Sequence, residues 1–425
     1  MFGVLNVYLT GRFIGQFSWE SERNVYSFRY DAAYLSDVAA ERLSFSLPLQ
    51  SEPFDSETSY NYFANLLPPV VVRKKLEKCL HISKDNVYGF LKAIGGDCAG
   101  AVSLYAPGTK PEFGEVEHLR PLSDEEAVSI LKSLRRRPMY AAGELGYRYS
   151  GAGAQDKLVA RLDGDTLVLP LYGTPSMHIV KPAASDFEES VANEFFCQRL
   201  AQRVGLPAAE ALIKMFGGER YYVSQRFDRA VVGGRLTRLH QEDFCQMLSV
   251  DPEIKYEEDG GPTVAACVET LRRLHVPVNG LLAFLDLLIF NVLIGNADAH
   301  GKNYSVVYHK GRPNVAPLYD AVSTLVYPEL SPSAAMSVGG ESALAKLTRE
   351  HFVRLASDCR ISPKLVLTRL DGLCERLPAA ARALSKELDA VFPSPVYAKI
   401  EQIIQSQCAR LRSLTSSRTR ELVHR

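Results

Sequence analysis

The strongest constraint in this sequence is an apolar run that is followed at once by a polar loop. Leu281 to Gly295 is the most apolar stretch of the 425-residue chain, yet it contains Asp286 and Asn291. It is shorter than the roughly 20 residues that a membrane-spanning helix requires, so it predicts a buried helix. The next residues are Asn296-Ala-Asp-Ala-His-Gly-Lys-Asn303, whose polar side chains would need many partners if they were buried. A rigid helix that ends in such a loop indicates a functional site.

The composition predicts a cytoplasmic globular protein of two or three domains. Lys plus Arg and Asp plus Glu balance at 49 each, so no net charge draws the chain to nucleic acid or to a membrane. The eight cysteines form no CxxC pair and lie mostly in apolar or helical stretches. They therefore predict buried thiols in a reducing compartment rather than zinc ligands or disulfides. We see no signal peptide at the N-terminus.

Local patterns predict a sheet-rich lobe followed by a helix-rich lobe. The predicted strands are 4–16 (a hairpin around Thr10-Gly11-Arg12), 26–30, 43–49, 101–105, 158–161, 167–170, 177–181, 212–216, 220–225, 304–308 and 315–319. Helices are predicted at 60–67 and 71–80, and capping-box spacings predict helix starts at Ser123 and Ser185. The predicted segments are an N-terminal subdomain (1–106), a connector (107–148), a sheet-rich lobe (149–229) and a helical lobe (230–425).

Asp298 and Asn303 have the D-x4-N spacing of a kinase catalytic loop, in which the Asp accepts a hydroxyl proton and the Asn holds Mg²⁺. Alone, this spacing is a weak signal and favours a surface turn closed by local side-chain bonds. Asp320 follows after a predicted hairpin and is placed to be a second metal-binding carboxylate, although a single Asp at a strand end is often a turn residue. Together the three residues predict a site for Mg²⁺ with bound phosphates.

A Lys–Glu pair is predicted upstream of this loop. Lys181 ends an otherwise apolar strand, and Glu194 lies on the inner face of the next helix. Kinases use such an ion pair to hold the α- and β-phosphates of ATP. The alternative for Glu194 is a boundary residue whose carboxylate reaches water.

Two further segments complete the candidate nucleotide site. The small residues from Ser150 to Lys157 would let backbone N–H groups approach phosphate oxygens, although a flexible hairpin is the simpler interpretation. The segment Gln225-Arg226-Phe227-Asp228 leaves a strand where two lobes would join, so its backbone is a candidate adenine-binding hinge. His300 is expected to order the catalytic loop rather than to bind metal.

Taken together, these residues resemble the HipA family of bacterial serine/threonine kinase toxins over nearly the whole chain. The segments that carry the resemblance are Ser150–Lys157, His178–Lys181, Gln225–Arg229, Gln241–Gln246, Lys255–Pro262, Gly295–Ser305 and Pro317–Asp320, with Leu43–Leu49, Phe63–Leu67 and Gly96–Val102 in the N-terminal part. The resemblance implies a two-lobed protein-kinase-like α+β fold, with a small N-terminal α+β subdomain and a helix-rich C-terminal lobe.

The resemblance also implies roles for individual residues. Asp298 would be the catalytic base, with Asn303 and Asp320 binding Mg²⁺ and with Glu194 and His300 in support. The ATP-binding residues would be Ala152, Gly153, Ala154, Gln155, Lys181, Gln225, Arg226, Phe227 and Asp228. Ser150 would be the site of autophosphorylation, which in the family moves the phosphate loop out of the site. A phosphate at Ser150 would add negative charge where the γ-phosphate binds and would repel ATP.

The resemblance implies ATP and Mg²⁺ as cofactors and an aminoacyl-tRNA synthetase, such as glutamyl-tRNA synthetase, as the protein substrate. Its phosphorylation would block translation and promote growth arrest and persistence. A HipB-like helix-turn-helix antitoxin would be the partner, and DNA contact would come only through it. Two alternatives remain open: a small-molecule phosphotransferase, which would share the D-x4-N loop and metal Asp, and a catalytically silent co-repressor module.

Overall fold

The computed structural model describes residues 2–109, 111 and 116–412, so parts of the predicted connector and of the C-terminal segment lie outside it. The chain divides into two compact units. The first comprises Met1–Pro182, Lys214–Glu253 and Val306–Pro313, and the second comprises Ala183–Ile213, Ile254–Ser305 and Asn314–Arg425. The four segments expected from the sequence stay a prediction.

The described residues form strands and helices with the following bounds. The strands are β1 (Phe2–Leu9), β2 (Arg12–Glu20), β3 (Val25–Tyr30), β4 (Val102–Tyr105), β5 (His118–Pro121), β6 (Leu158–Asp163), β7 (Thr166–Leu171), β8 (His178–Lys181), β9 (Ala211–Phe216), β10 (Glu219–Gln225), β11 (Arg229–Val232), β12 (Arg235–Arg238), β13 (Gln241–Asp243), β14 (Ser305–His309), β15 (Arg312–Val315), β16 (Ser333–Val338) and β17 (Glu341–Ala343). The helices are α1 (Ala32–Leu35), α2 (Ser56–Ala64), α3 (Val70–Leu80), α4 (Val87–Ile94), α5 (Asp124–Ser133), α6 (Ser190–Arg203), α7 (Phe244–Met247), α8 (Val264–Arg273), α9 (Val278–Leu293), α10 (Arg349–Asp358), α11 (Pro363–Asp389) and α12 (Val396–Arg412).

The first unit begins with a four-stranded sheet in the order β3-β2-β1-β4. Its hairpin confirms the pattern seen in the sequence: β1 and β2 pair antiparallel, and Thr10 and Gly11 make the turn with positive φ angles of 50° and 80°. Alternate residues of β1 from Leu5 to Leu9 are buried, as expected for a strand with one face on the core. Phe17, Phe28 and other aromatic residues of the same sheet extend this core.

The strand predicted at 43–49 is wrong. The segment has no regular structure, although Leu43 and Leu47 are fully buried. Side chains satisfy its backbone groups instead of a neighbouring strand: the Tyr30 hydroxyl accepts from the Leu43 N–H and donates to the Leu47 carbonyl, both at 2.6 Å. The apolar residues of this segment are therefore buried by packing alone, without hydrogen bonds to a neighbouring strand.

A six-stranded sheet in the order β5-β7-β6-β8-β10-β9 carries the predicted nucleotide-binding residues of the first unit. The chain passes from the second unit to the first within β9. Lys181 is the last residue of β8, as predicted, and pairs across the sheet with Tyr222 of β10. The capping box expected at Ser123 and Glu126 is also present, at the start of α5.

A network of buried charges follows the end of β10. Arg226 donates to both carboxylate oxygens of Asp228, at 2.9 and 2.6 Å. Arg229 and Arg238 donate to Oδ1 of Asp97 at 2.7 and 3.0 Å. Burial disfavours the charged form of Asp97, but the attraction of these arginines is the stronger effect and holds the pKa of its carboxyl well below the ordinary value. The network ties β10 to the segment that precedes β4.

The second unit is mainly helical, with one small sheet of β16 and β17. The buried helix expected at 281–295 is α9, and its residues from Phe284 to Leu293 are almost all inaccessible to solvent. It packs against the long helices α11 and α12. None of the helices in the described part of the chain combines the length and the apolar character that crossing a membrane requires. Seven of the eight cysteines are buried, as predicted.

Two predicted boundaries in this part of the chain are wrong. Helix α6 begins at Ser190 rather than at Ser185, because Glu189 adopts a left-handed conformation (φ 55°) and interrupts any earlier turn. The second strand of the last hairpin is 312–315 rather than 315–319, because the turn is a tight one at Lys310-Gly311. The short hairpin of β11 and β12 was not predicted at all.

Replacement of Asp97 by Asn should lower the free energy of unfolding by about 3–5 kcal/mol, because Arg238 would lose its counter-charge and the buried Arg226 and Arg229 would share Asp228 alone. Urea unfolding at pH 7 measures the change. The control is Asp37→Asn, which removes the partner of Arg12 in an exposed ion pair and should leave the unfolding midpoint near that of the wild type.

The same network makes a pH prediction for stability. Because the pKa of folded Asp97 lies below its value in the unfolded chain, its stabilisation is complete above pH ~4–5 and is lost as the pH falls toward the folded value. The difference in midpoint between wild type and Asp97→Asn should therefore shrink on acidification. Equal effects of the Asp97 and Asp37 substitutions at pH 7 would contradict the assignment.

Candidate active site

The loop that follows α9 is held by buried amides. The Asn296 side chain donates to Asn291 Oδ1 at 2.9 Å and accepts from the backbone N–H of Asp298 at 3.1 Å. Asn291 in turn donates to the Tyr304 hydroxyl at 3.0 Å. Gly295, with φ 73°, lets the chain leave the helix at once. The helix thus determines where the Asp298 backbone lies.

The Asp298 carboxylate lies at the surface of the second unit, and its Oδ1 accepts a hydrogen bond of 2.7 Å from the Tyr256 hydroxyl. The surrounding protein partly desolvates the carboxyl and raises its pKa, and the negative charge of Asp320 adds to the rise. Lys255 and the Tyr256 hydroxyl act in the opposite direction. An accessible carboxylate with a raised pKa has the character of a general base.

Asn303 and Asp320 lie side by side, as the sequence predicted for two metal ligands. Asn303 Nδ2 donates to Asp320 Oδ2 at 3.0 Å, and Asn303 Oδ1 accepts from the His300 backbone N–H at 3.2 Å. Asp320 is held in a left-handed conformation (φ 56°), which is unusual for a non-glycine residue and frequent at functional sites. Asp298, His300, Asn303 and Asp320 are therefore all brought together within the second unit.

His300 is buried beneath this loop. Its Nε2 lies 2.8 Å from Nζ of Lys255. Burial, together with the nearby Lys255 charge, lowers the pKa of His300 to about 3, so the ring is neutral at physiological pH. It contacts Lys255 and the loop backbone, which fits the predicted ordering role.

The oxygen donors of this cluster suit Mg²⁺. Asp320 offers an exposed carboxylate, and Asp298 and Asp320 repel each other electrostatically. Asn303 faces Asp320 with its Nδ2, whereas its Oδ1, the atom that could bind a cation, accepts from the His300 backbone N–H. No group of three or more His, Cys, Asp or Glu suited to a metal ion occurs in the described part of the chain. This donor set fits a cation that takes one or two protein oxygens and completes its shell with phosphates and water.

Sequence reasoning missed Lys255 and Tyr256 as parts of this site. Both belong to the segment 255–262, which carried the family resemblance without an assigned role. A Lys-Tyr pair has no chemical signature of its own, and only the folded chain brings these residues to a loop that lies more than 40 positions away. The resemblance of the whole segment 255–262 to the family was the one signal in the sequence for these two residues.

The predicted phosphate loop lies in the first unit and is closed by local contacts. Lys157 Nζ donates to the carbonyls of Ala152 and Gly153 at 2.7 and 3.0 Å, and Gly153 has a φ of 96° that favours glycine. Gln155 donates to the Pro182 carbonyl at 3.3 Å, next to Lys181. The loop and the end of β8 are therefore neighbours.

Ser150, the predicted autophosphorylation site, is fully buried at the start of this loop. Its hydroxyl donates to the Leu66 carbonyl at 2.6 Å, and its backbone N–H donates to the Asp97 carbonyl at 3.0 Å. A buried hydroxyl whose oxygen faces a carbonyl cannot be reached by ATP in this conformation.

The remaining predicted ATP-binding residues lie along β8 and after β10. Lys181 is largely buried, with its ammonium 5.6 Å from the centre of the Tyr222 ring. Gln225 pairs with His178, and Phe227 is half-buried. The side chains of Arg226 and Asp228 are committed to the buried ion network, which leaves only their backbone for nucleotide contacts. Glu194 is buried in α6 of the second unit, and its pairing with Lys181 stays a prediction.

Comparison with known proteins identifies the family of the chain. Residues 5–105 match the model of the HipA N-terminal domain, and residues 149–381 match that of the HipA-like C-terminal domain. The chain is 38% identical over 413 residues to the protein Y4mE of Sinorhizobium fredii, a match that covers 96% of this chain and 97% of that protein. It is 28% identical over 392 residues to the serine/threonine-protein kinase toxin HipA of Shewanella oneidensis, covering 88% of each.

Among solved structures, a chain from the complex of Shewanella oneidensis HipA, HipB and operator DNA matches with a TM-score of 0.83 at 26% sequence identity, over 96% of this chain and 97% of that one. The match confirms the predicted two-lobed, protein-kinase-like α+β fold. The resemblance inferred from the sequence motifs is thus confirmed at the level of sequence, domain and fold: the chain belongs to the HipA family.

Proposed function

We propose that this chain is an ATP- and Mg²⁺-dependent serine/threonine protein kinase that acts as the toxin of a toxin–antitoxin pair. The observation that carries the proposal is the cluster of Asp298, Asn303 and Asp320 at the end of a rigid buried helix. Phosphoryl transfer requires mainly positioning and charge stabilisation, and this cluster offers a base and two oxygen ligands for a cation.

Each residue has a role in the proposed reaction. Asp298 accepts the proton of the seryl or threonyl hydroxyl as that oxygen bonds to the γ-phosphorus and ADP leaves. Asn303 and Asp320 hold Mg²⁺, which when bound neutralises charge on the phosphate oxygens. Lys181 contacts the α- and β-phosphates, the backbone of 152–155 cradles the phosphates, and the backbone of 225–228 pairs with adenine.

Self-inactivation through Ser150 is part of the proposal. The buried Ser150 hydroxyl donates to a carbonyl oxygen, so a phosphate at this position would carry two negative charges toward an acceptor with no proton to offer. A phosphorylated Ser150 therefore cannot return to this position, and the loop that it begins is held away from its nucleotide-binding conformation.

Partners follow from the family. The solved Shewanella oneidensis complex contains HipB and operator DNA, and by analogy this chain binds a HipB-like antitoxin and reaches DNA only through it. The proposed substrate is an aminoacyl-tRNA synthetase, glutamyl-tRNA synthetase being the first to test, so that phosphorylation blocks translation and arrests growth.

Intact mass spectrometry of the purified chain incubated with MgATP tests the kinase directly. We expect a gain of one phosphoryl group that maps to Ser150 in the wild type, no gain in Ser150→Ala, and a rate lower by about 100-fold or more in Asp298→Asn. ATP binding without any gain in mass would favour action on other molecules only. Loss of ATP binding altogether would favour the co-repressor alternative.

Replacement of Asp320 by Asn should raise the Mg²⁺ concentration needed for half-maximal phosphorylation by about tenfold or more, because one charged oxygen ligand becomes neutral. The measurement is a Mg²⁺ titration of phosphoryl transfer, with EDTA abolishing the signal in all variants. Asp358→Asn, an exposed position of the same unit outside the site, is the control. The same Mg²⁺ requirement in Asp320→Asn and wild type would exclude Asp320 as a ligand.

Transfer of labelled phosphate from ATP to purified glutamyl-tRNA synthetase tests the substrate class. Because a small-molecule phosphotransferase needs neither the N-terminal subdomain nor the Ser150 loop, we expect label on the synthetase and none on aminoglycosides or choline in parallel reactions. Label on the small molecules alone would favour the phosphotransferase alternative.

A further inference from the structure

The segment 255–262 contacts the catalytic loop of the second unit at three points. The Tyr256 hydroxyl donates to Asp298 Oδ1 at 2.7 Å, and Lys255 Nζ lies 2.8 Å from His300 Nε2. The Pro262 ring packs directly against Gly301, where any side chain would bring a Cβ to within 2.6 Å of the ring. The proposed function gives these contacts no role.

Both the segment and the loop are anchored to the same strand. The Glu257 carboxylate accepts from the backbone N–H and the hydroxyl of Ser337 in β16, at 2.6 and 2.8 Å. The Ala335 N–H of β16 donates to the carbonyl of Ala297 at 2.8 Å. Tyr256 and Asp298 thus stand one residue away from separate attachments to one strand, which fixes the distance between them.

The hydrogen bond from Tyr256 has a particular consequence for Asp298. Among the described residues, the Tyr256 hydroxyl is the one side-chain donor to this carboxylate, which is otherwise open to solvent. An exposed Asp side chain rotates freely about two torsions, and a base must face the hydroxyl that it deprotonates. A donor on one carboxylate oxygen limits this rotation and leaves the second oxygen available.

We propose that Tyr256 is a positioning residue of the phosphoryl transfer: its hydroxyl holds Oδ1 of Asp298 so that Oδ2 is presented to the acceptor hydroxyl. Lys255 and Pro262 hold the neighbouring residues of the loop in the same way, so that the segment 255–262 acts as a clasp on the catalytic loop. The inference rests on the proposed kinase function and assigns a role to a segment that the reaction scheme leaves unused.

Steady-state kinetics of Tyr256→Phe tests the role, with Tyr397→Phe as the matched control. Tyr397 belongs to the same unit, and its hydroxyl donates to the Phe392 carbonyl, away from the loop. We expect kcat for phosphorylation to fall about tenfold in Tyr256→Phe, while KM for ATP and for the protein acceptor changes by less than about twofold. The control should change neither constant.

Three kinetic outcomes would overturn the inference. An unchanged kcat would mean that the hydrogen bond does not position the base. A rise in KM at constant kcat would assign Tyr256 to substrate binding. A higher kcat with a lower acceptor KM would mean that the Tyr256 hydroxyl competes with the acceptor for Asp298.

A second measurement does not depend on activity. Urea-unfolding midpoints of wild type, Tyr256→Phe, Asp298→Ala and the double variant form a thermodynamic cycle, and we expect the double variant to be less destabilised than the sum of the single changes. Strict additivity would show that the two side chains do not interact. If the wild type transfers no phosphate, the proposed function fails and the catalytic role with it, and a coupled cycle would then mark the contact as structural.

Discussion

The candidate site of the second unit depends on one constraint, the burial of α9. Most residues of this helix from Phe284 to Leu293 are buried, and it packs against α11 and α12. Asn291, near its end, is the fully buried polar residue of this stretch, and its amide joins Asn296 and Tyr304 in a buried chain of hydrogen bonds. A buried amide without hydrogen-bond partners costs free energy, because nothing compensates for its desolvation. The loop that provides these partners is therefore fixed along with the helix. The Asp298 backbone takes its position from this chain.

The charged side chains near this loop lie around the fixed backbone of Asp298. Burial, together with the charge of Lys255 beside it, lowers the pKa of His300 and keeps the imidazole neutral near physiological pH. The carboxylates of Asp298 and Asp320 are left facing each other across an exposed surface. Repulsion between the two exposed carboxylates costs free energy, which the proposed divalent cation would relieve.

The first unit contains a network of charged side chains that joins the segment after β10 to the segment that precedes β4. In this network Asp97 and Asp228 are matched by the buried Arg226 and Arg229 and by the partly buried Arg238, so removal of either carboxylate leaves three arginines with one counter-charge. The same Asp97 offers its carbonyl to the Ser150 N–H. A hydrogen bond therefore links the start of the predicted phosphate loop to Asp97, which is also part of the charge network.

Much of this was available from the sequence, because it depends on local chemistry. The period of two in β1, the apolar length of α9 and the capping box of α5 each act within about a dozen residues, and each is confirmed. The spacing from Asp298 to Asn303 and on to Asp320 also indicated a shared site, since a short hairpin returns the chain to its starting point.

The tertiary structure decided what depends on partners distant in the chain. Residues 43–49 have the pattern of a strand, but Tyr30 and Glu242 rather than a neighbouring strand satisfy their backbone. The strained turn at Glu189 that delays α6 has no local signal. The side chains of Arg226 and Asp228 pair with each other, and Arg226 also lies 3.7 Å from Asp97, a residue well over 100 positions away in the chain. The role proposed for Tyr256 became visible only in the structure, where its hydroxyl donates to Asp298. The sequence by itself determined most of the elements and the chemistry of the loop, because periodicity and spacing are local. The assignment of partners required the fold, because a hydrogen bond or an ion pair depends on distance in space and not along the chain.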